Sequence, residues 1–156
     1  MIFPFVRSEP EMRALRECVE LWRQGPEKFW AFDDVLEALN RPGSLGFFAA
    51  TAQSTPSWQG VILADVGPFT ADLLYVYVKP EHRRRGLARR LVDRLTDELE
   101  GQAQLEALFL EVWSSNKAAQ KLYQDIGMET VGTRKAYYSD GEDALVFKAT
   151  LRRSKP

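Results

Sequence analysis

The segment best suited to chemistry spans residues 73–99 and reads LLYVYVKPEHRRRGLARRLVDRLTDEL. Its first residues, 73–78, are all aliphatic or tyrosine, which predicts a buried central strand. Regularly spaced leucines from Leu87 to Leu99 predict an amphipathic helix. Between them lies an arginine- and glycine-rich loop, whose backbone N–H groups and following helix N-terminus would attract an anion. The segment therefore predicts an anion-binding loop, with the pyrophosphate of a cofactor as the first candidate.

Composition limits the kinds of chemistry that are available. The chain has 156 residues, 45% of them hydrophobic and 12% aromatic, which favours one globular domain over 1–156. Cys18 is the single cysteine, so we expect neither a disulfide framework nor a cysteine-rich metal site. His82 is the single histidine, which argues against a histidine metal centre and against a serine-hydrolase triad. We therefore expect no bound metal.

Charge and apolar patterning bear on the partners of the chain. The formal net charge is −1, so we do not expect nucleic acid as a partner. Residues 1–12 lack the basic start and the long apolar run of a secretion signal, and no apolar run is long enough to span a membrane. We expect a soluble cytoplasmic protein without a membrane partner. The sequence does not indicate the oligomeric state.

Periodicity and turn residues predict the order strand, two helices, three strands, helix, strand, helix, two strands. Pro4 suggests that the first strand lies at a sheet edge. Ser8 and Asn116 are expected helix caps, and Gly25-Pro26 and Gly127 are expected helix ends. A turn is expected at Ser54–Ser57. The predicted strands are Ile2–Val6, Leu45–Ala52, Gly60–Val66, Leu73–Val78, Leu105–Trp113, Met128–Ala136 and Ala144–Leu151.

The loop itself carries a recognisable motif. Residues Arg83–Ala88 fit the pattern Arg/Gln-x-x-Gly-x-Gly/Ala at a strand-to-helix junction. Gly86 permits close approach of a phosphate, and Ala88 keeps the first helical turn thin. The motif is neither a P-loop nor a dinucleotide fingerprint. It resembles the acetyl-coenzyme A loop of the GNAT N-acetyltransferase superfamily, and so does the order of the elements.

The second half of the chain strengthens this resemblance. The run Leu110–Asn116, with Leu122-Tyr123 and Ile126–Met128 after it, is similar to bacterial ribosomal-protein-alanine N-acetyltransferases. Arg134–Tyr138 followed by Asp140–Ala144 is similar as well. The resemblance implies an α/β GNAT fold, with a mixed central sheet of about seven strands, flanked by about four helices and splayed at its two central strands. It also implies acetyl-coenzyme A as co-substrate and a primary amine as acceptor, with a protein N-terminus favoured.

The resemblance also implies roles for individual residues. Glu111 would act as general base and Tyr123 as the acid that protonates the departing thiolate. The groups implied to hold the cofactor are Val76, Tyr77, Val78, Arg83, Arg84, Arg85, Gly86, Leu87, Ala88, Asn116 and Tyr123. Tyr137 and Tyr138 would line the groove that receives the substrate.

Simpler interpretations stay open at each of these positions. Five arginines between Arg83 and Arg90 also suit a solvated surface or, less well, nucleic acid. The side chains of Val76 and Val78 are expected in the core, which needs no further function. The resemblance implies that the backbone at these positions binds the cofactor arm. Glu111 also suits a solvated carboxylate or a partner of a nearby arginine.

Tyrosine and cysteine positions have simpler interpretations as well. Tyr123 also suits a core residue, and Tyr137 and Tyr138 also suit strand residues beside a turn. Cys18 is expected in the core of the first helix. A small-molecule amine acetyltransferase and a non-catalytic acyl-coenzyme A-binding module are the alternative functions.

Overall fold

The computed structural model of the chain describes residues 1–6, 8–24, 32–51 and 57–152. The strands are β1 (Ile2–Pro4), β2 (Ser44–Ala50), β3 (Trp58–Val66), β4 (Thr70–Val78), β5 (Ala107–Trp113), β6 (Glu129–Arg134) and β7 (Ala144–Thr150). The α-helices are α1 (Glu9–Arg23), α2 (Phe32–Asn40), α3 (Leu87–Glu100) and α4 (Lys117–Asp125), and a short 3₁₀ helix covers Pro80–His82. The predicted order of strands and helices is confirmed.

Some predicted boundaries were wrong, for reasons that the backbone explains. β4 begins at Thr70 rather than Leu73, because its first half alternates between exposed and buried side chains instead of being apolar throughout. β6 ends at Arg134 rather than Ala136, since Ala136 has a φ of 48°, which is incompatible with a strand. Short apolar runs mark the middle of a strand better than its ends.

Two predicted features fall on parts of the chain outside the described residues. These are the helix end at Gly25-Pro26 and, except for Ser57, the turn at Ser54–Ser57.

The strands form one mixed sheet in the order β1-β2-β3-β4-β5-β7-β6. β1 lies at the edge, as Pro4 predicts, and pairs antiparallel with β2. β4 and β5 pair in parallel, with Thr70 opposite Ala107 and Leu73 opposite Leu110. This ladder ends at Leu73, whereas β4 itself continues to Val78.

Contacts between residues divide the structure into two compact units. The first unit contains Met1–Asp65 and Leu74–Leu95, and the second contains Val66–Leu73 and Thr96–Pro156. The start of β4 therefore belongs to the second unit and its end to the first.

The first unit has an apolar core of helix and strand side chains. Its members come from α1, α2 and strands β2 to β4, and are Ala14, Leu15, Cys18, Val19, Phe32, Val35, Leu39, Phe48, Val61, Leu63, Tyr75 and Tyr77. α1 begins directly after Ser8, whose backbone N–H donates to the carboxylate of Glu11 (3.0 Å). This hydrogen bond fixes the start of the helix whose apolar face enters the core.

Two strands of the first unit approach closely at Gly60 of β3. A Cβ atom built on Gly60 would lie 2.7 Å from the carbonyl oxygen of Tyr77 on β4 and 3.4 Å from Cδ1 of Leu91 on α3. Glycine therefore lets β3 and β4 approach closely at this point, and Leu91 of α3 lies in contact with the same position.

The second unit is built around β5, which lies between β4 and β7. Leu108 and Phe147 on these strands are fully buried. α4 begins at the cap Asn116, whose side chain accepts a hydrogen bond from the N–H of Ala119 (3.0 Å). It ends before Gly127, which has a φ of 89°. Both predicted ends of this helix are confirmed.

Candidate functional site

The loop between β4 and α3 lies in the first unit and has an unusual backbone. Arg84 has a φ of 61° and Gly86 a φ of 71°, so the chain twice enters the left-handed region within three residues. α3 follows at once, beginning at Leu87. The N–H groups of the first helical turn have no partner inside the helix and point back toward the loop. The loop can therefore bind an anion through backbone donors, as a nest of N–H groups does.

The arginines of this loop have different surroundings. The guanidinium of Arg83 turns back onto β4, where its Nε donates to the carbonyl oxygen of Val78 (2.9 Å). It also lies 5.6 Å from the ring centre of Tyr77. Arg84 and Arg85 are exposed to solvent. Arg83 therefore braces the loop, while the two following arginines are accessible to a ligand.

The end of β4 presents alternating side chains to its two faces. Tyr77 and Val78 are buried, but Val76 is only half-buried, so the expectation that Val76 is a core residue was wrong. Alternation along the strand places it on the face opposite the Tyr75–Tyr77 pair. Burial raises the pKa of Tyr77, and the nearby Arg83 guanidinium works against this increase.

One ion pair beside the loop was not foreseen from the sequence. Lys79 directly follows β4, and its Nζ lies 2.6 Å from Oε1 of Glu17 on α1. The Lys79 side chain is 11% exposed, whereas that of Glu17 is 54% exposed. The pair ties α1 to the start of the loop. In the sequence, the only local sign of this ion pair is a lysine at the end of an apolar strand, and that sign does not identify Glu17 as the partner.

Glu111 lies on β5 in the second unit and is held by two other side chains. Its Oε1 is 2.9 Å from Nε of Arg134, at the end of β6, and its side chain is 26% exposed. A hydrogen bond to the Glu111 carboxylate, together with burial, raises the pKa of Tyr137, while Arg134 lowers it. The arginine partner left open by the sequence is therefore present. Arg134 itself was not among the predicted site residues.

Tyr137 and Tyr138 lie in the β6–β7 loop rather than on a strand, so the interpretation as strand residues was wrong. Tyr138 is buried and stacks on Trp113 with ring centres 4.1 Å apart. Tyr137 is 40% exposed and meets Tyr138 edge to face. One tyrosine thus anchors the loop and the other presents a ring to solvent.

Two carboxylates fix this loop in place. Glu142 accepts hydrogen bonds from Oγ of Ser114 (3.0 Å) and from the N–H of Ser115. Hydrogen bonds from the side chain and the N–H of Ser115, together with the Ser114 hydroxyl, lower the pKa of Glu142. Asp143 accepts hydrogen bonds from Nζ of Lys135 (2.8 Å) and from the N–H of Ala136, which lie in the same loop. The Glu142 contacts join the β6–β7 loop to the β5–α4 loop, directly before the cap Asn116.

Tyr123 projects from α4 into the second unit. It is 8% exposed, and its ring centre lies 5.8 Å from that of Phe147. Tyr123 therefore occupies the core position expected from its helical face. Its hydroxyl is a polar group at a buried position, and a phenol can donate a proton. Asn116 caps the same helix.

Within each unit, the structure brings together some of the predicted residues. In the first unit, Arg83 contacts Tyr77 and Val78. In the second, Tyr137 contacts Tyr138, and the Glu111 carboxylate raises the pKa of Tyr137. Sequence comparison then relates this arrangement to known proteins. Residues 3–128 match the acetyltransferase (GNAT) family.

The chain belongs to the acetyltransferase (GNAT) family. A ribosomal protein bS18-alanine N-acetyltransferase from Escherichia coli (strain K12) is 42% identical over 80 residues, which are 49% of this chain and 53% of that protein. The chain thus spans about half the length of the curated relatives it matches.

Solved structures of the family have the same fold. The crystal structure of the ribosomal-protein-S18-alanine N-acetyltransferase from Escherichia coli superposes with a TM-score of 0.81, at 25% identity, over 99% of this chain and 97% of that chain. NAA60 from Arabidopsis thaliana, solved in complex with acetyl-CoA, has a TM-score of 0.80 at 14% identity, over 97% of this chain and 98% of that chain. The predicted GNAT fold is confirmed.

The GNAT loop of this chain fits the pyrophosphate of acetyl-CoA in chemical terms. It offers backbone N–H donors at a helix N-terminus and two exposed guanidinium groups, at Arg84 and Arg85. A Cβ atom built on Gly86 would meet nothing within 4 Å, so the backbone at this point is open to a ligand.

In the part of the chain that the structure describes, no helix is long and apolar enough to cross a membrane. The same residues contain no group of three or more His, Cys, Asp or Glu side chains placed to hold a metal ion. Cys18 is fully buried in α1, in the core position expected of it. Burial raises the pKa of its thiol to about 12.

Proposed function

We propose that this protein is an N-acetyltransferase that moves the acetyl group of acetyl-CoA to a primary amine by direct attack, with a protein N-terminal α-amino group as acceptor. The observation that carries the proposal is the loop at Arg83–Ala88, with its positive φ angles and helix N-terminus, in a chain of the GNAT family. The identity to ribosomal-protein-alanine N-acetyltransferases favours an N-terminal alanine of a ribosomal protein. A single domain and a cytoplasmic location are part of the same proposal.

The loop is proposed to hold the diphosphate of the co-substrate. Backbone N–H groups of Arg84–Ala88 bind its oxygens, and the side chains of Arg84 and Arg85 add positive charge. Backbone groups of Val76–Val78 pair with the pantetheine arm as an added strand would. Arg83 braces the loop through its hydrogen bond to Val78, and Asn116 contributes near the arm.

Two side chains of the second unit are proposed to move protons. Acetyl-CoA supplies an acetyl thioester. Glu111 accepts a proton from the attacking amine, directly or through water, as a new C–N bond forms. Tyr123 donates its hydroxyl proton to the sulfur as the C–S bond breaks. After the C–N bond forms and before the C–S bond breaks, an N–H group near Val78 stabilises the negatively charged oxygen of the tetrahedral intermediate.

The acceptor follows from the acidity of amines. A protein α-amino group titrates near pH 8 and a lysine near 10.4, so the α-amino group holds more of the neutral, nucleophilic form near neutral pH. A protein N-terminus therefore needs less help from a base than a side-chain amine. The exposed ring of Tyr137 provides an apolar surface beside the Glu111 carboxylate, which would accept the amine proton.

A thiol-release assay with acetyl-CoA tests the proposal against two panels, N-terminal peptides and small amines such as polyamines. We expect turnover of a peptide that starts with alanine, reduced at least about tenfold by Glu111→Gln. Tyr123→Phe should slow turnover while acetyl-CoA affinity is retained. Glu129→Gln, at an exposed position of β6, is the matched control and should leave turnover unchanged.

The outcomes separate the alternatives. Turnover of small amines without turnover of peptides would replace the N-terminal acceptor with a small-molecule one. Tight binding of acetyl-CoA with no turnover of any amine would contradict catalysis and favour a non-catalytic acyl-CoA-binding protein.

A further inference from the structure

Three side chains of the second unit lie together around Arg134. Nε of Arg134 lies 2.9 Å from Oε1 of Glu111, and the guanidinium carbon of Arg134 lies 5.2 Å from the ring centre of Tyr137. The Glu111 carboxylate also raises the pKa of Tyr137. Arg134 therefore contacts both of the others, although the three residues come from β5, from the end of β6 and from the following loop.

The register of the sheet explains how Arg134 reaches Glu111. Glu111 lies opposite Val146 on β7, and Val146 lies opposite Gly132 on β6. Directly opposed residues share a face of the sheet, and so do residues two apart on one strand. Arg134 therefore lies on the same face of the sheet as Glu111.

We propose that Arg134 is a positioning residue for the acceptor amine: its guanidinium fixes the Glu111 carboxylate and the Tyr137 ring in one arrangement. A carboxylate has about four acceptor sites, so a cation and a phenol leave room for the amine proton or for a bridging water. The inference rests on the proposed function, in which Glu111 accepts that proton.

Other charges nearby are engaged elsewhere. Nζ of Lys135 donates to Asp143 (2.8 Å), and Glu142 accepts from Ser114 and Ser115. These pairs hold the loop that carries Tyr137. Arg134 is the cation that the structure places against Glu111.

A purely structural ion pair at the surface would behave differently. Arg134 is 58% exposed, and exposed pairs contribute little to folding, so Arg134→Gln should fold normally. If the guanidinium positions Glu111, this variant should lower kcat/KM for the acceptor peptide by about tenfold or more and leave KM for acetyl-CoA unchanged. Arg134→Lys keeps the charge without the planar geometry and should recover part of the loss.

Lys121→Gln is the matched control. It removes another exposed cation of the second unit, which pairs with Asp125 at 3.1 Å on α4. This variant should keep the native kinetics for both substrates.

The titration of Tyr137 gives a readout independent of activity. In protein labelled with ¹³C-tyrosine, the Tyr137 signal is assigned with Tyr137→Phe and followed by NMR against pH. Arg134→Gln should raise the pKa of Tyr137 further, because the cation that favours its phenolate form is lost. Glu111→Gln should lower the pKa of Tyr137, because the carboxylate that raises this pKa is replaced by a neutral amide.

The positioning role of Arg134 and the proposed function can fail separately. An active native enzyme, with Arg134→Gln matching its kinetics or leaving the Tyr137 titration unmoved, would overturn the positioning role and keep the proposed function. A native protein that acetylates no amine would overturn the proposed function and the positioning role together, whatever the titration shows.

Discussion

Glu111 shows how much the chemistry of a single residue depends on the side chains that face it. It follows the apolar residues of β5, yet its carboxylate pairs with Arg134 and raises the pKa of Tyr137, and both residues come from other parts of the second unit. A carboxylate paired with a guanidinium is fixed in direction, and a general base requires a fixed direction toward its proton. Residue type alone does not provide this.

Cys18 gives a prediction at the same scale. Its thiol is fully buried, and burial raises its pKa to about 12, so about one thiol in ten thousand is ionised at pH 8. We expect Ellman's reagent to leave the native protein unmodified and to react at once after unfolding in guanidinium chloride. Cys18→Ala should retain acetyl transfer, because the proposed route has no acetyl-cysteine intermediate. Rapid labelling of the native protein, or loss of turnover in this variant, would contradict the prediction.

At the scale of the element, the loop before α3 combines several backbone features that suit a binding site. Positive φ angles at Arg84 and Gly86 turn the backbone, and the helix N-terminus follows directly. The Arg83 side chain donates to the carbonyl oxygen of Val78, which ties the loop to the end of β4. A binding loop that is already fixed loses little conformational entropy when a ligand binds.

Gly86 provides the prediction for this element. Gly86→Ala would place a Cβ in open space at a φ of 71°, so backbone strain should cost about 1–2 kcal/mol without a clash inside the protein. Gly86→Glu adds a negative charge where the pyrophosphate is proposed, and should abolish coenzyme A binding measured by isothermal titration calorimetry.

Gly127→Glu is the matched control for this experiment. Gly127 has a φ of 89° and also no atom within 4 Å of a built Cβ, so the backbone strain is similar while the position lies at the end of α4. Coenzyme A affinity should be retained in this variant. Equal loss of affinity in both glutamate variants would contradict a phosphate site at the loop.

At the scale of the whole molecule, one strand serves both compact units. The start of β4 pairs with β5 in the second unit, and its end packs in the first, where Tyr75 and Tyr77 join the apolar core. The β4–β5 ladder covers Thr70–Leu73 of β4, and these residues belong with β5 to the second unit.

The close packing in the first unit predicts a selective loss of stability. Gly60→Ala would bring a Cβ to 2.7 Å from the backbone oxygen of Tyr77, and backbone cannot move aside cheaply. We expect the free energy of unfolding to fall by about 1–3 kcal/mol. Urea denaturation followed by circular dichroism measures it. Gly132→Ala, where a Cβ meets nothing within 4 Å, should change stability by less than about 0.5 kcal/mol. Equal effects of the two variants would contradict this account.

The amino-acid sequence by itself determined the elements and the anion-binding loop. Periodicity, caps and turn residues act over a few positions, so the order of helices and strands, the cap at Asn116 and the motif at Arg83–Ala88 could all be predicted. Strand ends were harder, because exposed residues such as Thr70 and Asp72 look the same in a loop and in a half-buried strand.

Only the tertiary structure decided which side chains meet. Lys79 and Glu17 are 62 positions apart, and their contact depends on how α1 lies against the end of β4. Arg134 reaches Glu111 because the register of β6, β7 and β5 places them on one face of the sheet. A shift of one residue in that register would send each side chain to the opposite face, so no local pattern could have specified the pair.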